Sequence, residues 1–323
     1  MSSANNLTAE YPPYRDVGFA VLMTLGVTGI LGNTLVCLTI CQVRFMHTTT
    51  NYLIAHLALA DLLVCATFLA FQERFIHDNL EDPLLCLLFK NGALAWLMAS
   101  VSTASMVLVT AERYVAIVYP LHYPCYLSSR RLKLAIAGIW LLSAPLALIQ
   151  IFIQETIDSV GCLQNLTIPK GTLTALYALQ VALFIIPMLS LFYCYGRIMI
   201  NLHRSARRHH QANNAGHAED LNRAQRKVAI VLLMTAAIYI AVWLTMTLLY
   251  LFILFHTMPG SGMTDIVKQL YQPILFVFNS MVNPIIYAFK YKEFQRGVRE
   301  ALLPRCLIRQ HKVDTRGNDI AMG

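Results

Sequence analysis

Glu112 and Arg113 are adjacent charges at the end of a long uncharged run, with Tyr114 directly after them. The run, Asn91 to Pro120, reads NGALAWLMASVSTASMVLVTAERYVAIVYP and is long enough to cross a bilayer before the pair arrives. Charges at that depth are costly unless the protein interior or the interface satisfies them, which marks the pair as functional. Arg113 presents five donors in a rigid fork that keeps its charge. The expected chemistry is an exchange of partners, in which Glu112 could hold it in one state and the Tyr195 and Tyr287 hydroxyls could receive it when helices shift. The plainer alternative is an anchor, with Arg113 snorkelling to the headgroups.

Asp61 is the second suspect, a lone carboxylate within another apolar run, where ionisation is expensive without partners. Asn33, Ser102, Asn279, Ser280 and Asn283 lie at comparable depth in other runs and are expected to form a hydrogen-bonded network around it. No catalytic chemistry is legible. The chain has no HExxH, no paired aspartates and no Gly-rich nucleotide loop. Gly26, Gly29 and Gly32 are three apart and read as helix packing, and His56 reads as a packed, neutral side chain. The expectation is no enzyme.

The elements that must carry these residues are apolar. Of 323 residues, 57% are hydrophobic and 13% charged, against about a quarter charged in soluble domains. The net charge of +8 does not point to nucleic acid, because the basic residues gather in short segments between apolar runs rather than on one face. Seven runs of bilayer length follow one another: Val17–Cys41, Tyr52–Gln72, the Asn91 stretch entered near Leu84, Leu134–Gln154, Thr172–Gly196, Val228–Phe255 and Gln269–Phe289. The divisions expected are an outer segment 1–16, a spanning domain 17–289, an interfacial helix 290–303 and a tail 304–323. Met1 to Asp16 has no apolar core of its own, so the first span is expected to direct insertion.

Arg44, then Arg130, Arg131 and Lys133, then Arg197 through Lys227, then the tail form a strongly basic set of alternate segments. The other segments carry Asp78, Glu81, Asp82, Glu155, Asp158 and Asp265. The positive-inside rule places the amino terminus outside and the carboxyl terminus in the cytoplasm. The glycosylation sequons at Asn6 and Asn165 fall on the outer side. Only Cys86 and Cys162 lie in outer segments, so topology leaves them as the one plausible disulfide. KYKEFQRGVREALL after the seventh run is amphipathic, with Phe289, Phe294, Val298, Ala301 and Leu302 on one face, and reads as an interfacial helix on membrane lipid. Cys306 beyond it is a palmitoylation candidate.

These positions together resemble a rhodopsin-like (class A) G-protein-coupled receptor over nearly the whole chain. The motifs are Gly32-Asn33, Leu57-Ala58-Leu59-Ala60-Asp61, Glu112-Arg113-Tyr114, Trp140, Pro187 with Tyr195, Trp243, and Asn283-Pro284-Ile285-Ile286-Tyr287 with Phe294 after it. The resemblance implies an all-α membrane fold of seven transmembrane helices plus a short amphipathic helix. It implies an extracellular ligand, a heterotrimeric G protein and arrestin as partners, and the plasma membrane as location. It also implies a sodium ion at Asp61, and an activation switch of Glu112, Arg113, Tyr114, Tyr195, Trp243, Asn283, Pro284 and Tyr287. Three departures stand out. Gln225 replaces an acidic residue low on the sixth helix, which predicts a weaker resting state with basal signalling. Thr245 replaces the proline two residues after Trp243, and Tyr239 stands where Phe is usual.

By the same resemblance the ligand-facing positions are Ala95, Trp96, Ala99, Gln180, Leu183, Trp243, Met246, Thr247, Tyr250, Gln269, Pro273 and Val277. An amine ligand needs a counter-ion in low dielectric, and Ala95 occupies that position. A light receptor needs a Schiff-base lysine, and Val277 occupies that one. The expected ligand is therefore a small, largely uncharged molecule, with a chemosensory or peptide receptor of the same fold as the alternative. A seven-helix transporter is the remote alternative, since only Asp61 sits deep and no repeat is visible.

Overall fold

The computed structural model is helical throughout its described residues, 13–70, 93–153, 170–212, 217–256 and 271–302, with some helix-end positions described by backbone alone. The helices are α1 (Pro13–Gln42), α2 (Thr49–Ala70), α3 (Ala93–Val118), α4 (Ser129–Ile153), α5 (Lys170–Ala212), α6 (His217–His256), α7 (Gln272–Lys290) and α8 (Lys292–Leu302). A 3-10 turn, Arg44–Met46, joins α1 to α2. Another, Pro120–His122, runs into the single turn Tyr123–Tyr126. Among the described residues, six helices are long and apolar enough to cross a membrane, namely α1, α2, α3, parts of α5 and α6, and α7. With α4 they make the seven-helix bundle that the sequence predicts.

The stretch from Arg197 to Lys227, expected as a connection, is mostly helix: α5 runs on to Ala212 and α6 begins at His217. Nothing in Arg197–Ala212 breaks a helix, since it holds no glycine or proline and its four arginines and two alanines are good helix formers. Pro145, Pro187 and Pro284 sit inside helices, where neighbouring helices satisfy the backbone groups a proline frees. Pro273 is in the first turn of α7, a position where its missing N–H costs nothing.

α3 is central and touches α2, α4, α5 and α6, while α1 packs on α2, α7 and α8. Gly26, Gly29 and Gly32 of α1 are the reason it can approach so closely. A Cβ on Gly26 would come within 2.6 Å of Leu69, and one on Gly32 within 2.7 Å of Pro284; one on Gly29 would collide with Cys65. α8 lies against the C-terminal end of α1: Phe294 and Gly297 are buried, and the Arg296 guanidinium sits 4.8 Å from the centre of the Phe45 ring. Leu302 of α8 and Phe289, in the last turn of α7, are exposed.

Candidate functional site

α3 ends with its charged pair turned inward. Glu112 is 1% exposed, and its Oε2 accepts from Arg113 Nε at 2.6 Å. Glu112 Oε1 accepts from Arg113 Nη2 at 2.6 Å, from Tyr123 Oη at 2.7 Å and from Thr50 Oγ1 at 3.0 Å. Arg113 Nη2 also reaches the Thr50 hydroxyl. Two helices and the turn after α3 thus close on one buried carboxylate. Burial and the Glu112 charge push the Tyr123 phenol up to about 12, so it stays a donor at physiological pH. Satisfied in this way, the pair escapes the several kcal/mol that an unpaired buried ion would cost. The snorkelling alternative for Arg113 does not describe this geometry.

Tyr195 and Tyr287, the proposed second partners of Arg113, are both buried. The Tyr195 hydroxyl accepts from Thr110 Oγ1 at 3.2 Å, and the Tyr287 hydroxyl has no hydrogen-bond partner. Tyr287 packs edge-on to Phe294 of α8, ring centres 6.4 Å apart. Tyr114 turns away from the charges and meets the rings of Tyr119 and Tyr193. At the α7–α8 corner the Tyr291 hydroxyl lies 3.0 Å from both Asn51 Oδ1 and Glu293 Oε2.

Deeper in the bundle Asp61 is fully buried. Ser102 Oγ donates to its Oδ1 at 2.5 Å, and Asn283 Nδ2 donates to its Oδ2 at 2.7 Å. Asn33 Nδ2 spans α1 and α7, donating to the Ser280 carbonyl at 3.1 Å and to the Gly29 carbonyl at 2.9 Å. Every residue expected in this network is buried, and α1, α2, α3 and α7 meet on it. The side-chain carbonyl oxygens of Asn33, Asn279 and Asn283 have no donor. A carboxylate with nearby hydroxyl and amide oxygens and unclaimed acceptors is the donor set of a hard cation such as sodium. Ser102, Ser280 and Asn283 surround Asp61 as such a set would, whereas Asn279 lines the cavity beside Trp243.

Above this network lies an aromatic cluster. Trp243 of α6 stacks on Phe184 of α5 at 3.8 Å and meets Phe276 of α7 edge-on at 5.0 Å. Trp96 of α3 touches Phe184, Trp243 and Phe276, and Tyr239 packs 5.8 Å from Trp243. Val242, Trp243, Met246, Phe276 and Asn279 line a narrow cavity between α6 and α7, sized for about one water molecule. Ala95, Trp96, Ala99, Trp243, Met246, Pro273 and Val277 are buried as expected of inward-facing positions, and Thr247 is half-buried. Gln269 lies outside the described residues, as do the side chains of Gln180, Leu183, Tyr250 and Gln225. Cys86, Cys162, Asn6, Asn165 and Cys306 lie outside them too.

Sequence reasoning missed several partners. Thr50 is one of three consecutive threonines where α2 begins, and nothing in the sequence separates it from the other two. Tyr123 precedes a proline in a loop with no periodicity. His56, read as packed, has both nitrogens bonded: Trp140 Nε1 donates to its Nε2 at 3.2 Å, and Nδ1 is 3.0 Å from Ser105 Oγ. An indole N–H only donates, so Nε2 carries no proton, and neutral His56 donates from Nδ1 to Ser105. Ser105 then donates to the Val101 carbonyl at 2.6 Å.

The family described as 7 transmembrane receptor (rhodopsin family) matches residues 32–287. The chain is 30% identical to the substance-K receptor of Homo sapiens over 322 residues, which cover 94% of this chain and 77% of that protein. It is 28% identical to the substance-K receptor of Bos taurus over 322 residues, 94% of this chain and 80% of that one. With the alpha-1A adrenergic receptor of Oryzias latipes it shares 26% identity over 335 residues, 92% of this chain and 69% of that one.

Proposed function

The chain belongs to the rhodopsin family of seven-transmembrane receptors, and on that premise we propose how this G-protein-coupled receptor rests and switches. The observation that carries the reading is the enclosure of Arg113 by Glu112 and Thr50 at the end of α3. In the resting state Glu112, braced by Tyr123, holds the guanidinium. In the signalling state the inner ends of the helices part, Arg113 leaves Glu112, and the Tyr195 and Tyr287 hydroxyls receive it. A G protein then docks on the opened inner face, with arrestin as a second occupant. Ligand and G protein act through a population shift, each preferring the open arrangement. The basic loops and tail set the amino terminus outside and the carboxyl terminus inside the plasma membrane.

Asp61, Ser102, Ser280 and Asn283 would hold a sodium ion in the resting state. When bound, the ion would supply positive charge beside the buried carboxylate. The residues themselves tie α2 and α3 to α7, so contraction of this site pulls on the Asn283–Tyr287 segment.

The ligand is read as largely uncharged. Ala95 is buried and offers no counter-ion, while Trp96, Phe184, Trp243 and Phe276 form an aromatic floor. A peptide ligand is the second reading, favoured by the similarity to the substance-K receptors.

The test is G-protein activation by the unliganded receptor in cells, comparing wild type with Arg113→Ala and Gln225→Glu at matched surface expression. The expected result is a basal signal abolished in Arg113→Ala and reduced in Gln225→Glu. A basal signal indifferent to Arg113→Ala overturns the switch.

A further inference from the structure

The turn that carries Tyr123 is held by little packing. From Tyr119 to Tyr126 every side chain is exposed except Tyr123, which is half-buried. Neither the 3-10 turn nor the single helical turn has a buried residue. Pro120 and Pro124 stiffen the segment but offer no backbone N–H. Within it the His122 N–H donates to the Tyr119 carbonyl and the Leu127 N–H to the Tyr123 carbonyl, both at 3.0 Å. Such bonds set the shape of the turn and not where it sits. A segment with few buried contacts opens locally at little cost. Yet its Tyr123 hydroxyl stands 2.7 Å from the buried Glu112 carboxylate.

α4 supplies a second hold. Ser128 caps that helix: its carbonyl accepts from the Leu132 N–H at 3.0 Å and its Oγ from the Arg131 N–H at 3.4 Å. The cap fixes the backbone of Arg131 in the first turn of α4. Cations there, Arg130 and Arg131, oppose the helix dipole. The positive-inside rule asks for charge in this segment, not for a bond. Arg131 nevertheless makes one, reaching back so that its Nη1 donates to the Cys125 carbonyl. The last carbonyls of a helical turn have no partner within it, and a basic side chain is a suitable donor to them. Cys125 is two residues from Tyr123. The turn is thus pinned to α3 by Tyr123 and to α4 by Arg131.

We propose that Arg131 is a positioning residue for the hold on Arg113: by binding the Cys125 carbonyl it seats the Tyr119–Tyr126 turn so that the Tyr123 hydroxyl stays on Glu112. It acts on the carboxylate through the turn. The inference rests on the receptor reading above and adds to it a support that lies on α4.

The test uses the full chain in lipid nanodiscs. Arg131→Gln shortens the side chain and removes its charge, while Arg130→Gln removes the neighbouring charge and keeps the bond. Basal nucleotide exchange on a G protein, at matched receptor number, is expected to rise several-fold in Arg131→Gln and to stay at the wild-type level in Arg130→Gln. In a Tyr123→Phe background the Arg131→Gln step is expected to add nothing, because the contact it protects is already gone. A second readout needs no signalling. A fluorotyrosine replacing Tyr123 gives a fluorine resonance whose broadening by a water-soluble gadolinium chelate reports how far the ring has left its seat. Broadening is expected to be several-fold stronger in Arg131→Gln than in wild type or Arg130→Gln. Equal broadening in all three overturns the proposal, as does an Arg131→Gln effect on exchange that persists undiminished in Tyr123→Phe. Stronger broadening in Arg131→Gln with unchanged exchange supports the seat and overturns the switch reading instead. Thermal unfolding of each purified variant separates an unseated turn from a damaged fold.

Discussion

Gly32 of α1 stands against Pro284 of α7 with no room for a methyl group: a Cβ at Gly32 would lie 2.7 Å from Pro284 Cγ and 3.0 Å from Pro284 Cβ. Pyrrolidine rings do not rotate aside as a long side chain does, so α7 itself must shift. Gly32→Ala is expected to cost about 1–3 kcal/mol by overpacking, seen as a lower unfolding temperature of the purified receptor. Gly138 of α4 is the control, because nothing lies within 4 Å of its added Cβ. Gly138→Ala is expected to be neutral, or stabilising by up to about 1 kcal/mol through helix propensity. Equal losses at the two positions would refute the packing argument.

Asp61 is the one carboxylate among the described residues of the polar network. Exchanging choline chloride for sodium chloride is expected to raise the unfolding temperature of the wild type, since a ligand that binds only the folded state stabilises it by mass action. In Asp61→Asn that sodium dependence is expected to vanish. An asparagine variant that keeps the same sodium shift would place the ion elsewhere.

Tyr123 and Thr50 brace the Glu112 carboxylate from outside α3. Removing a single hydrogen bond to a charged group costs about 1.5–3 kcal/mol. Tyr123→Phe and Thr50→Val are therefore expected to raise basal G-protein activation several-fold, while Arg113→Ala eliminates it. The measurement is nucleotide exchange at matched receptor number. Unchanged basal exchange in both variants would show that the brace does not bias the resting state.

His56 links α2 to α3 and α4 through a chain with one possible direction of donation. His56→Leu strands the Trp140 N–H and is expected to destabilise the receptor by about 1–3 kcal/mol. Adding Trp140→Phe removes the stranded donor, so the double variant is expected to be more stable than the sum of the two single losses. Strict additivity in thermal unfolding would deny the bond.

The bundle was legible because lipid imposes length. A run of apolar residues with charges at its ends has few options other than a spanning helix, and α1, α2, α3 and α7 all appear within a few residues of their expected limits. The polar network was legible for a related reason: Asp61, Ser102, Asn283 and Asn33 are conspicuous in apolar surroundings, and hydrocarbon forces such groups together. What escaped were partners whose type is ordinary where they occur. Thr50 and Tyr123 lie at the membrane edge, where polar residues are common, and only the fold aims them at Glu112. Nothing in the sequence separates Phe184 and Phe276 from the other rings of their helices, and only the fold closes them around Trp243. The continuation of α5 past Gly196 was missed because charge was read as loop, although Arg and Ala are good helix formers.

The arrangement around Arg113 confines its hold to one corner of the bundle. Its hydrogen-bonding partners among the described side chains, Glu112 and Thr50, come from α3 and α2, and Tyr123 braces them from the turn after α3. The carboxylate, the hydroxyl and the phenol thus form a clasp built entirely where α2 meets the end of α3, so a change confined to that corner is enough to loosen the guanidinium.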